Sequence, residues 1–444
     1  MMTDTAKCDT LITMKNISGG VCAPKGFKAG GIWCGVKASS KKRDLALIYS
    51  DVACTAAAMF TTNRVQAASV LVSQEHLVKG KLRAIIANSG NANACTGDAG
   101  LAAARRMAEL VADEFAISPK DVAVASTGVI GVPLPIAAIE NSMGALANSL
   151  RGDEAGHAAA LEAIMTTDTR KKEVSLEIEI GGVPVRIGGM VKGAGMIHPN
   201  MATMLCFITC DAAISYAALD WSLRRAVRRS FNRVTVDGDT STNDTIIIMA
   251  SGAAGNPVIN LVDAAFEVFA AALEEACIRL ARMVARDGEG ASKLVTVTVS
   301  GAASEKDAET LAKSVASSSL VKAACFGADA NWGRVLCALG YAVGTDGAGV
   351  EFEPSQTEVR FKSIGASVAG GTNTVGGANT VGGGEICVCK NGASVPFSEA
   401  DAKSILSQEE IEIIVSVGSG PGRAVVWGCD LTYDYVKING DYRS

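Results

Sequence analysis

The chain has 444 residues, 48% of them apolar and 20% charged, which is enough for a large core spread over two to three domains or one large α/β assembly. Aromatic residues make up only 5% while glycines number 47, a balance that favours small residues packing helices closely onto sheets. A net charge of −5 with no basic run of five or more argues against nucleic acid or an anionic membrane as partner.

In chain order, the first 100 residues read as short strands between Gly and Lys clusters, clearest in L-A-L-I-Y-S and R-A-I-I-A-N-S-G. Residues 100–116 carry helical periodicity with their charges on one face. D-V-A-V-A-S-T-G-V-I-G, residues 121–131, predicts a strand that ends in a Thr–Gly turn, with helices over 135–149 and 154–165 behind it. From 174, V-S-L-E-I-E-I-G-G-V-P-V-R-I-G-G-M-V-K-G alternates with period two about Gly181–Gly182 and predicts a β-hairpin. M-L-C-F-I-T-C-D, after position 203, reads as a strand. Helices follow over 216–230 and 262–286, the second stopped at Asp287–Gly288. I-E-I-I-V-S-V and R-A-V-V-W-G-C-D-L are late strands, and the Gly-rich segment 365–384, with T-V-G-G twice, reads as a surface insertion between strands. This mixture argues for a layered α/β (α+β) fold, sheets sandwiched by helices, rather than a doubly wound parallel sheet.

The 13 cysteines are odd in number, run from Cys8 to Cys429 and include no C-x-x-C; the three histidines, His76, His157 and His198, show no metal-ligand spacing. Cysteine therefore serves as a small apolar residue in a reducing compartment. No signal-peptide core opens the chain and no run of eighteen apolar residues occurs, so a soluble cytoplasmic protein is expected. Gly418–Gly422 follows a strand but precedes another strand, and Pro421 lacks an amide for phosphate, so a β-turn is the reading there. There is no G-x-S-x-G, and His198 is the one histidine placed to tempt a catalytic role.

A threonine nucleophile needs no histidine. At the start of a chain its own α-amine, with an unperturbed pKa near 8, can take the hydroxyl proton. Inside a chain that arrangement requires scission of the preceding peptide bond. K-G-A-G-M-I-H-P-N-M-A-T-M-L, residues 192–205, supplies glycines, a stiffening Pro199, a small Ala202 before Thr203 and a strand after it.

That segment closely resembles the self-cleavage segment of the glutamate/ornithine N-acetyltransferase family. Further stretches agree in order: A-P-K-G-F-K-A-G-G (23–31), A-N-S-G-N-A-N-A-C-T-G (87–97), S-T-G-V-I-G (126–131), T-T-D-T (166–169), D-G-D-T-S-T-N-D-T (237–245), A-R-D-G-E-G-A-S-K (285–293), G-A-D-A-N-W-G-R (327–334) and D-Y-V-K-I-N-G-D-Y-R-S (434–444). The resemblance spans nearly the whole chain. It implies an N-terminal-nucleophile-like fold, autocleavage at Ala202–Thr203 into chains 1–202 and 203–444, an α2β2 heterotetramer, and Thr203 as nucleophile. Thr127 and Gly128 match the oxyanion pair; Thr166, Lys192, Thr203, Glu289, Asn439 and Ser444 match substrate-binding positions. The implied reaction carries acetyl from N2-acetyl-L-ornithine to L-glutamate through acetyl-Thr203, with no metal or organic cofactor. Acetyl-CoA enters as a second donor only if the enzyme is bifunctional. The sequence leaves two alternatives open, an N-terminal-nucleophile amidase or aminopeptidase of related fold and a non-catalytic binding protein. Gly440 departs from the family's common alanine, and Cys206 and Cys210 are unusual at their positions; packing roles are expected for both cysteines.

Overall fold

Two mixed β-sheets organise the computed structural model, which describes residues 13–37, 40–198, 204–344, 347–364, 380–381 and 384–440. The nine-stranded sheet runs in the order Lys15–Asn16, Glu173–Ile180, Val183–Lys192, Leu205–Cys210, Thr245–Ala250, Leu45–Phe60, Lys81–Asn91, Val122–Val129, with Phe27–Ile32 also paired to Leu45–Phe60. Its central strands Leu205–Cys210 and Thr245–Ala250 pair in parallel and are buried along their whole length. Alternation along these strands divides the core. Leu205, Phe207, Ile247 and Met249 pack with Leu161 and Ile164 of the helix Glu154–Ile164. Cys206, Ile208, Cys210, Ile246 and Ile248 face the helices Tyr216–Arg229 and Ala264–Arg286. A strand covered on both faces reads as one continuous apolar run, and that is how this region reads in sequence. Both cysteines are fully buried in that packing, as expected.

The hairpin forms as its period predicts: Ile180 pairs with Val183, and Gly181 and Gly182 both take positive φ, 60° and 78°. A two-residue loop with both residues in that region matches the twist of the flanking strands. The helix Ala264–Arg286 packs on both arms of this hairpin and also on Gly422–Cys429, so it joins the two sheets. Each of its fully buried Phe269, Leu273 and Leu280 contributes roughly 1.5–3 kcal/mol of burial. The eight-stranded sheet runs Thr380–Val381, Glu385–Lys390, Glu358–Ser363, Glu410–Ser416, Leu294–Ala302, Gly422–Cys429, Val234–Thr235, with Ala393–Ser394 beside Glu385–Lys390. Glu358–Ser363 and Glu410–Ser416 alternate between buried and half-buried positions, the pattern of a sheet with one face on the core.

The layered α/β expectation holds. Three local expectations need correction. The helix over 135–149 is two short helices, Ile136–Glu140 and Met143–Asn148, parted where Ser142 Oγ donates back to the Ala138 carbonyl (2.8 Å). The early strands are not all short, since Leu45–Phe60 has 16 residues. Ala68–His76, within the same region, is a helix whose Ala68, Ser69, Val70, Val72 and Ser73 are all buried, so it shows no clean apolar stripe. The Gly-rich insertion connects the paired strands Glu358–Ser363 and Glu385–Lys390; its residues 365–379 and 382–383 lie outside the described residues. Among the described residues no helix is long and apolar enough to cross a membrane.

Candidate active site

Lys192, Leu205, Thr245 and Phe60 share one rung of the large sheet, and the end of strand Val122–Val129 is brought beside it, Thr127 Oγ1 lying 3.3 Å from Lys192 Nζ. A cavity of about 500 Å³ opens there, walled by residues 127–130, 166–167, 195–196 and 241–243 together with Lys192, Glu289 and Asn439. Six residues singled out from sequence, Thr127, Gly128, Thr166, Lys192, Glu289 and Asn439, therefore meet in one place. Ala202, Thr203 and Ser444 lie outside the described residues.

Gly128 sits at a register shift between the parallel strands Lys81–Asn91 and Val122–Val129, with φ +135°. A Cβ there would lie 2.3 Å from the Gly90 carbonyl carbon and 2.5 Å from Asn91 N, so only glycine lets the two backbones approach this closely. Thr127 is buried and its Oγ1 accepts from Lys192 Nζ at 3.3 Å. With an ammonium on one lone pair, the threonine hydroxyl keeps its own proton to give elsewhere.

Lys192 is itself buried. Burial pushes its ammonium down from the usual lysine range; Asp168 opposes that, Lys172 adds to it, and Glu289 and Asp244 oppose it further. Asp168 has no exposed side-chain surface. Burial would raise its carboxyl, yet Lys192 and Lys172 hold it well below the usual carboxylate range. Glu289 Oε2 accepts from Asn439 Nδ2 at 2.9 Å, which ties the outer helix Tyr433–Gly440 to the cavity, and Thr432 Oγ1 donates to the Gly290 carbonyl (2.6 Å). The Glu289 carboxylate lies against Gly195, where a Cβ would come within 2.3 Å of Oε2.

One loop grips the chain on both sides of residues 198–203. Asp237 accepts the amides of Met196 (2.6 Å) and Ile197 (2.8 Å), and Asp244 Oδ1 accepts the amide of Met204 (3.1 Å). Asp244 is fully buried and its Oδ2 has no hydrogen-bond partner among the described residues. Burial raises its carboxyl well above the ordinary range, with the Met204 amide and Lys192 opposing. His198 stands apart from the cavity wall, its Nδ1 3.2 Å from Thr235 Oγ1, and burial lowers its pKa.

Residues 28–444 match the sequence profile of the ArgJ family. The chain belongs to the ArgJ family. It is 48% identical over 432 residues to the arginine biosynthesis bifunctional protein ArgJ of Symbiobacterium thermophilum, covering 97% of this chain and all of that one. The protein of the same name from Caldanaerobacter subterraneus subsp. tengcongensis is 46% identical over 431 residues, with 97% of this chain and all of that protein covered. A crystal structure of ornithine acetyltransferase complexed with ornithine, from Mycobacterium tuberculosis, is 38% identical over 44% of this chain and all of that chain, with a TM-score of 0.39.

Within this ArgJ-family chain, sequence reasoning missed Gly195, Met196, Thr242 and Asn243 in the cavity wall and the supporting Asp168, Asp237 and Asp244. T-T-D-T and D-G-D-T-S-T-N-D-T contain most of them, but a motif does not show which side chain faces a cavity and which accepts a loop amide. Asn243 is committed to the fold, its Nδ2 donating to the carbonyls of Ala92 (2.6 Å) and Ser126 (2.7 Å). Among the described residues no group of His, Cys, Asp and Glu could hold a metal ion.

Proposed function

We propose that this chain is an acetyltransferase of arginine biosynthesis that moves acetyl from N2-acetyl-L-ornithine to L-glutamate. The observation carrying this reading is the meeting of Thr127, Gly128, Lys192, Glu289 and Asn439 around one cavity, beside the start of the strand Leu205–Cys210. Family membership and relatives named for arginine biosynthesis support it.

In this scheme the Thr203 hydroxyl first attacks the Ala202 carbonyl, and the N→O shift followed by hydrolysis leaves chains 1–202 and 203–444 with a free α-amine on Thr203. That amine then takes the hydroxyl proton as Thr203 Oγ attacks the acetyl carbon of acetylornithine. The oxygen that becomes an anion accepts from the Thr127 hydroxyl and the Gly128 amide. Each such donor is worth about 100- to 1000-fold in rate. Collapse breaks the acetyl C–N bond, the proton passes to the departing ornithine nitrogen, and acetyl-Thr203 remains. The glutamate amine then attacks the ester, and N-acetylglutamate leaves. Lys192 suits a substrate carboxylate and Glu289, braced by Asn439, an amine. Thr166 lies in the same wall, and Ser444 completes the substrate set by resemblance. The assembly is α2β2 and cytoplasmic, and acetyl-CoA is a second donor if the enzyme is bifunctional.

Intact mass and acetyl-transfer assays test the proposal together. The wild-type chain should give two fragments, the second beginning at Thr203, and should acetylate glutamate from acetylornithine. Thr203→Ala should stay a single chain of 45.5 kDa and transfer nothing. Hydrolysis of acetylornithine without transfer would replace the reading with an amidase; transfer surviving in Thr203→Ala would demand another nucleophile. A chain neither cleaved nor active would fit the binding protein.

A further inference from the structure

A line of buried charges runs from the end of the long helix to Thr127. Lys172 Nζ lies 2.5 Å from Asp287 Oδ2 and 2.6 Å from Asp168 Oδ1, and none of the three side chains exposes more than 2% of its surface. Asp168 is tied in turn to the residue after Lys192 through the Gly193 amide, and Lys192 Nζ donates to Thr127 Oγ1. The signs alternate: carboxylate, ammonium, carboxylate, ammonium, hydroxyl. Asp168 is the joint of this line, because its carboxylate also holds the backbone at Thr166 in the cavity wall and at Gly193, the residue after Lys192. Oδ2 accepts from the Thr166 amide (2.9 Å) and Oδ1 from the Gly193 amide (2.7 Å).

We infer that Asp168 is a positioning residue of the acetyl-transfer reaction, which anchors the backbone at Thr166 and at Gly193, next to Lys192, and so holds the Lys192 ammonium against Thr127. The inference rests on the roles proposed above for Lys192 and Thr127. A buried ammonium with a neutral hydroxyl as its hydrogen-bond partner needs a nearby counter-charge to stay ionised. The charged groups acting on Lys192 are Asp168, Lys172, Glu289 and Asp244, with Lys37 coupled to it from the neighbouring loop. Of these charges Asp168 is the largest influence, and it favours the ammonium; Lys172 comes next and disfavours it. If Asp168 served only to close the T-T-D-T loop and pair Lys172, altering either partner would loosen the fold without moving the titration of the reaction.

The test is the pH profile of kcat in two variants with opposite expected signs. Asp168→Asn keeps a carbonyl acceptor but removes the charge, so Lys192 loses its proton at lower pH. Its alkaline limb should move to lower pH and kcat should fall about tenfold or more. Lys172→Met removes a repelling cation, and its alkaline limb should move to higher pH. Folding of both is checked by thermal melting and completed chain scission. An unchanged limb in Asp168→Asn, or limbs that move the same way in both variants, overturns the inference. If Asp168→Asn is recovered only unfolded, Lys172→Met decides alone: a limb at higher pH supports the inference and any other result overturns it. A wild-type chain that transfers no acetyl removes the underlying reading and this inference with it. Transfer by wild type combined with unshifted variants removes the inference alone.

Discussion

Gly195→Ala separates the site from the fold. Gly195 has no backbone angle that demands glycine, and the three nearest atoms a new Cβ would meet belong to the Glu289 carboxylate: 2.3 Å to Oε2, 2.4 Å to Cδ and 2.7 Å to Oε1. Carbon contacts are comfortable near 3.5 Å, so the carboxylate must retreat by roughly 1 Å. Being the end of a side chain, it can do so at little cost to stability, within about 1 kcal/mol. The site fares worse. The 2.9 Å bond from Asn439 Nδ2 to Oε2 is strained or lost, and a displacement of about 1 Å in a positioning group can cost on the order of 100-fold in rate. Steady-state transfer from acetylornithine to glutamate should show kcat/KM about 10- to 100-fold below wild type. Melting temperature and chain scission should match wild type. A folded, cleaved Gly195→Ala enzyme with wild-type kcat/KM would refute the assignment of Glu289 to the substrate.

Thr127→Val removes the oxyanion hydroxyl while keeping shape, and kcat should fall about 100-fold with KM little changed. A rise in KM at constant kcat would instead assign Thr127 to ground-state binding. Asp244→Asn keeps the acceptor for the Met204 amide but cannot ionise. Because burial raises the Asp244 carboxyl, its protonated form supports folding fully below the unfolded pKa of about 4, and that support is lost as pH climbs through the folded value. In an uncleaved Thr203→Ala background, Asp244→Asn should therefore melt above its parent as pH rises and approach it near pH 4. A parent that gains on the variant with rising pH would show the carboxylate ionised in place. Brief alkylation of the native protein should label the exposed Cys95 and Cys337 well before the buried Cys206, Cys210 and Cys277, whose thiols burial pushes up. Early labelling of Cys206 by mass spectrometry would contradict its place in the core.

Elements whose reason is local were legible in the sequence. Period-two text around two glycines became the hairpin Glu173–Lys192, and a sustained apolar stripe ending at Asp287–Gly288 became Ala264–Arg286. Where local signals compete, sequence reasoning failed. Ser142 prefers a back-bond to Ala138 over continuing a helix, and Ala68–His76 is buried on too many sides to show an amphipathic face.

The site divides in the same way. Thr127, Gly128, Thr166, Lys192, Glu289 and Asn439 were named through the resemblance of ordered motifs to a known family, since each taken alone reads as an ordinary loop or turn residue. Only tertiary structure decided which charges face one another. Glu289 and Asn439 stand 150 residues apart and share a 2.9 Å hydrogen bond, and Asp168 pairs with Lys172, four positions on, while accepting the amide of Gly193, next to Lys192. Backbone periodicity is written into neighbouring residues, so a sequence can display it. A carboxylate's charge and reach depend on the water it has lost and the cations folded against it, and these exist only once the sheet, the long helix and the loops have packed.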